Sequence, residues 1–134
     1  MSTPAPQPQP YQGLAYCRLS GPKEHLFVIV SDPLVVPLKG KRLCVVVVNF
    51  TSVKGTRFDD LTCVFTPRDH SYFKHDSYVF YQKTDVEFAD SLMQNVSSGI
   101  WKQQPDFLAA DVTRIKLGLR NSPYTSVDIK NLPI

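Results

Sequence analysis

Hydrophobic and polar positions change rhythm once along this chain. In the first two-thirds, apolar residues come in short runs rich in valine, isoleucine and phenylalanine. Residues 25–31 (His-Leu-Phe-Val-Ile-Val-Ser) and 61–66 read as strands, being too short and too β-branched for helices. Residues 43–50 contain four consecutive valines, Val45, Val46, Val47 and Val48. A segment apolar on both faces belongs in the centre of a sheet. Residues 14–19 form a further short strand, ended by Gly21 and Pro22. Pro33 and Pro37 break residues 34–38 into an edge segment or covering loop. Residues 74–82 alternate, so as a strand they put His75, Ser77, Val79 and Tyr81 on one face and Lys74, Asp76, Tyr78 and Phe80 on the other.

From Val86 onwards the period lengthens. Phe88, Ala89, Leu92, Met93 and Val96 recur at helical spacing and predict a helix over residues 86–96. Phe107, Leu108, Val112, Ile115 and Leu119 make the buried stripe of a second helix over residues 105–119, with Arg114, Lys116 and Arg120 near its dipole-negative end. Ser126 caps a third, short helix to residue 132. Trp101 reads as an anchor between helix and sheet. About five strands followed by two or three helices imply an α+β domain with an antiparallel sheet, and strands this short suggest a small, partly open barrel.

The 134 residues suit one domain, and 43% hydrophobic content supplies a core for it. Residues 1–13, rich in proline and glutamine, are expected to be a disordered tail, with the domain proper at residues 14–134. A net charge of +3 is compatible with a nucleic-acid partner without requiring one. Cys17, Cys44 and Cys63 are odd in number, have no paired-cysteine spacing and fall mainly in apolar runs, so buried free thiols are expected. With no signal-peptide pattern and no run long enough to span a membrane, the expected location is the cytoplasm, without a membrane partner.

Chemistry-bearing residues concentrate in residues 68–81, which hold His70 and His75, Asp69 and Asp76, Ser71 and Ser77, Arg68 and Lys74, and three tyrosines. His70 lies in the turn leading into the alternating segment. Five basic residues, Lys39, Lys41, Arg42, Lys54 and Arg57, fall between Asp32 and Asp59 without an intervening acid. If the loops at either end of the valine-rich strand share one end of the barrel, they make a cationic rim suited to phosphates. Tyr72, Phe73 and Tyr78 can stack unpaired bases beside it. No metal site and no cofactor is expected, since no firm third ligand accompanies the two histidines.

The strand ending in Val30-Ser31, the valine-rich strand ending in Thr51-Ser52, and a late Arg-Ile-x-x-Gly-Leu from Arg114 to Leu119 resemble the MazF/PemK/Kid toxins. The motif Asp-His-x-Phe/Tyr-x-x-His-x-Ser-Tyr-Val-x-Tyr resembles a small bacterial group allied to the same barrels. The resemblance covers about residues 21–120, although the family's Arg-Pro opening of its first long strand is replaced by His25-Leu26. It implies an SH3-like barrel followed by helices and a metal-independent endoribonuclease, the toxin of a toxin–antitoxin pair. The partners expected are RNA, an antitoxin protein and a second copy of the chain in a homodimer. Such cleavage needs a base for the 2′-hydroxyl, an acid for the leaving 5′-oxygen and a cation for the charged phosphorane. On this reading His70, His75, Arg68 and Thr51 are catalytic, while Lys41, Arg42, Ser52, Lys54, Arg57, Ser77 and Tyr81 bind RNA. Two alternatives stand beside it. The histidines and tyrosines form a structural polar network that bonds backbone carbonyls, or the same face is a non-catalytic module binding nucleic acid or protein.

Overall fold

The computed structural model describes residues 11–134; most of the expected tail, residues 1–10, lies outside the described residues. The described residues are α+β, with an antiparallel sheet and three α-helices. Strand β1 (Ala15–Ser20) turns into β2 (Lys23–Ile29), and β2 pairs with β3 (Cys44–Ser52). Short strands β4 (Val64–Phe65) and β5 (Ser77–Val79) follow, then a single 3-10 turn at Tyr81–Lys83 and β6 (Asp85–Phe88). Helix α1 (Ala89–Ser97), strand β7 (Lys102–Gln104), and helices α2 (Ala109–Asn121) and α3 (Val127–Lys130) complete the order. The spatial order is β4-β5-β3-β2-β1-β7, with β6 also on β3, and the sheet does not close on itself.

β3 organises the sheet. One edge pairs with β2 over Val47–Asn49, and the other pairs first with β6 over Cys44–Val47 and then with β5 over Phe50–Ser52. Its side chains alternate between two separate cores. Val46, Val48 and Phe50 face one that includes Val112, Ile115 and Leu119 of α2 and Ile129 and Leu132 of the α3 region. Val45 and Val47 face the other, with Ala89, Leu92 and Val96 of α1 and with Trp101 packed against it. Helices thus cover both faces of the sheet, which is why the four valines need no polar face.

The ends of these elements correct several expectations. Residues 74–82 are not one strand: β5 spans three residues, and Tyr81 begins the 3-10 turn. Its hydroxyl is buried and donates to the Ile115 carbonyl at 2.8 Å, so it meets α2 and not solvent. Residues 86–88 are strand, and the first helix starts at Ala89. β7, which reads as a loop in sequence, is held by pairing with β1. The packed body also begins before Leu14. Gly13 donates to the Ile29 carbonyl and accepts from the Phe107 N–H, both at 2.8 Å. A Cβ there would meet the Phe107 carbonyl oxygen at 2.8 Å, and the φ of +94° already favours glycine.

Candidate functional site

The β2–β3 ladder is paired no further than Phe27 and Asn49, and beyond that point the strands part. Continuing the register sets His25 level with Thr51. Its Nδ1 lies 3.4 Å from the Phe50 carbonyl oxygen. A carbonyl only accepts, so in the neutral ring this contact puts the proton on Nδ1 and leaves Nε2 without a hydrogen-bond partner among the described residues. The parting strands open a cavity of about 200 Å³, lined by Lys23, His25, Thr51, Ser52, Lys54 and Tyr72 among others. A second cavity of about 490 Å³ continues it, with walls from Ser71, Lys74, His75 and Gln104. Ser52, Tyr72, Phe73 and Ser77 border both, which makes one groove at this end of the sheet.

His75 is exposed on the groove wall, and its ring has no hydrogen-bond partner among the described residues. Tyr72 lies between the cavities. Burial, then the nearby Cys17 thiol and Glu24, push its hydroxyl up to about 12, so it stays protonated. Three lysines, two imidazoles, the hydroxyls of Thr51, Ser52, Ser71 and Ser77, and the Gln104 amide therefore line one groove, with Glu24 as its acid. Phosphates and the edges of unpaired bases are ligands to which such a lining is complementary.

His70 is placed elsewhere. It is 7% exposed and lines neither cavity. The Tyr72 backbone N–H donates to its Nδ1 at 3.0 Å, so Nε2 carries the proton and donates to the Pro105 carbonyl at 2.7 Å. Both ring nitrogens are occupied by backbone. This is the structural-network arrangement for His70, and it separates His70 from His75. Arg68 is exposed on the turn before it, away from the groove lining.

The basic loops do not share a rim. Lys41 and Arg42 precede β3 and Lys54 and Arg57 follow it, so nine residues of strand, on the order of 30 Å, lie between them. Arg42 is also engaged. Its guanidinium donates to Asp90 and to Ser91 Oγ, both at 2.7 Å, and stacks on Phe88 with 4.0 Å to the ring centroid. That hydrogen bonding to Arg42 holds the Asp90 carboxyl below its usual range at the start of α1. Of the expected RNA-binding residues, Ser52, Lys54 and Ser77 come together with the expected catalytic Thr51 and His75. Lys41, Arg42, Arg57 and Tyr81 do not line the groove.

Lys23, His25 and Gln104 also line the groove, although the sequence pointed to a catalytic or RNA-binding role for none of them. His25 reads as the opening residue of a strand. Gln104 comes from β7, whose pairing is non-local. Cys17, Cys44 and Cys63 are free and buried, and burial raises all three thiols, Cys17 to about 11. Among the described residues no group of three or more His, Cys, Asp or Glu is gathered as metal ligands would be, and no helix is long and apolar enough to cross a membrane. Comparison of the chain with known families, with curated proteins and with solved structures finds no match.

Proposed function

We propose that the groove binds single-stranded RNA and cleaves it without metal, as the resemblance to the MazF/PemK/Kid toxins implies. The observation that carries this reading is the meeting of two imidazoles, three lysines and a row of hydroxyls around one groove. His25, with Nε2 free, takes the 2′-hydroxyl proton, and the 2′-oxygen attacks phosphorus. The bond from phosphorus to the 5′-oxygen breaks, and His75 as imidazolium returns a proton to that oxygen. Lys54, Lys74 and Lys23 offset the charge of the phosphorane, and Thr51, Ser52 and Ser77 hydrogen-bond its oxygens. This puts His25 in the place of His70 in the pair of proton-transferring histidines and keeps His75. On the same reading the open sheet is a relative of the SH3-like barrel, acting in the cytoplasm as a toxin restrained by an antitoxin.

A second reading has its own support. Neither His25 nor His75 donates a hydrogen bond to a carboxylate among the described residues, whereas proton-transferring histidines are commonly oriented by one. A groove that binds RNA without cutting it fits that observation.

The deciding experiment is an RNA cleavage assay with purified protein and excess chelator. Cleavage that falls by about two to four orders of magnitude in His25→Ala and in His75→Ala, with RNA binding retained, is the expected result. Wild-type protein that binds RNA and leaves it intact decides for the second reading. Absence of any RNA binding at low salt removes both.

A further inference from the structure

Beyond the groove, the loop after β3 is held in one conformation while it presents a large apolar ring to solvent. The Asp59 carboxylate accepts backbone N–H groups from Lys54, Gly55 and Thr56 at 3.0, 2.8 and 3.3 Å. Thr56 Oγ1 accepts the Phe58 N–H at 3.2 Å. At the loop's far end the buried Asp60 accepts the Ser122 hydroxyl at 2.6 Å, tying the loop to the end of α2. On this frame Phe58 remains 73% exposed, and the Arg57 guanidinium lies 5.0 Å from its ring centroid.

Fixing the backbone beneath an exposed phenylalanine costs chain entropy and gains almost no burial. A ligand that covers the ring supplies what the fold does not. Lys54, which lines the groove, heads this loop four positions before Phe58, and that much chain spans at most ~14 Å. A strand in the groove therefore reaches Phe58 within a few nucleotides. Every base has a π-face that stacks on an aromatic ring or a guanidinium, and the adjoining phosphates meet Lys54 and Arg57. Both acids of the loop are engaged, Asp59 by backbone N–H groups and Asp60 by the Ser122 hydroxyl.

We infer that Phe58, with Arg57 against it, is a stacking platform for an unpaired base flanking the groove. This rests on the RNA reading above.

The test uses the full chain and labelled oligouridines of about two and about ten nucleotides, with binding followed by fluorescence anisotropy at low salt. Phe58→Ala is expected to weaken the longer strand by about five- to a hundredfold and to leave the shorter unchanged. Phe58→Trp should keep the affinity of wild type and add an emission change on binding the longer strand. An equal effect of Phe58→Ala on both strands, or none on either, overturns the platform and leaves the groove reading standing. Wild-type protein that binds neither strand overturns both. A change in solution mass on Phe58→Ala, seen by light scattering, would assign the ring to a protein contact and also overturn the platform.

Discussion

The imidazole of His70 lies nearly parallel to the ring of Phe107, with centroids 4.4 Å apart and 17° between planes. Together with the two backbone hydrogen bonds on its nitrogens, this makes His70 a strut between the turn before β5 and the segment that enters α2. Its removal should therefore act on stability. His70→Ala is expected to cost about 3 kcal/mol, since it opens a cavity and leaves a carbonyl and an N–H unpaired. His75→Ala, on an exposed ring, should stay within about 0.5 kcal/mol. Urea denaturation of both variants checks this, and equal, small losses would show that His70 carries no structural weight.

Gly118 faces Tyr81 across the contact between α2 and the sheet. A Cβ at this position would stand against the Tyr81 hydroxyl, with its ring Cζ at 2.9 Å and the Cβ of Cys63 at 3.3 Å. Alanine is ordinarily the better helix former by about 1 kcal/mol. Here Gly118→Ala should nonetheless destabilise by about 1–3 kcal/mol, because the Tyr81 ring has no free space into which to retreat. Gly118→Ala combined with Tyr81→Phe should recover part of that loss in thermal melts, since the hydroxyl is the first atom struck.

Local pattern made the central strand, its neighbour β2 and the three helices legible. Four valines and two amphipathic stripes need no knowledge of partners. The meeting of elements at the groove was not legible. The sequence places His70 and His75 close together, yet the turn between them sends one ring inward onto Phe107 and leaves the other on the surface. Lys41 and Lys54 are joined by a strand that carries them to opposite ends. His25 and Gln104 reach the groove only through pairing with residues far along the chain. β7, Lys-Gln-Gln, has no strand signature and exists because β1 offers it an edge.

Alkaline pH should unfold this protein early. Burial raises the Cys17 thiol to about 11 and the Tyr72 hydroxyl to about 12, and raises Cys44, Cys63, Tyr16 and Tyr81 as well. The folded state holds protons that the unfolded chain releases from about pH 8.5 upward. Stability is thus fully present below that pH and falls as pH rises towards 11 and 12. Thermal midpoints measured from pH 7 to pH 11 should decline from about pH 9. Cys17→Ala should shallow the decline, and a flat profile would mean the thiols and phenols are open to solvent.

If the groove holds RNA, charge reversal should depend on position along β3. Lys23, Lys54 and Lys74 changed to Glu should weaken binding steeply and lower the slope of log K against log salt by about 0.7 for each lost phosphate contact. Lys41→Glu and Arg42→Glu, at the other end of the strand, should leave both affinity and slope unchanged. Titrations at several salt concentrations read both quantities. Equal effects at the two ends would point to diffuse attraction to a basic protein.

Val46 and Val47 are both buried and face different cores. Val46→Asp and Val47→Asp should each prevent folding, because either places an unpaired charge in an apolar layer. Soluble expression and a cooperative melt in either variant would show that the corresponding layer admits water.

Because β6 and β5 take successive stretches of one edge of β3 while β2 grips the other, the central strand is clamped at both ends in a single alignment. Removing or adding one residue between Val47 and Phe50 would turn the side chains beyond it to the opposite face and break one of the two pairings, whichever end adjusted. Substitutions of similar volume can be absorbed there, but a change of length cannot. The places where the chain can lengthen are its loops, and among them the one bearing Phe58 leads directly out of the groove.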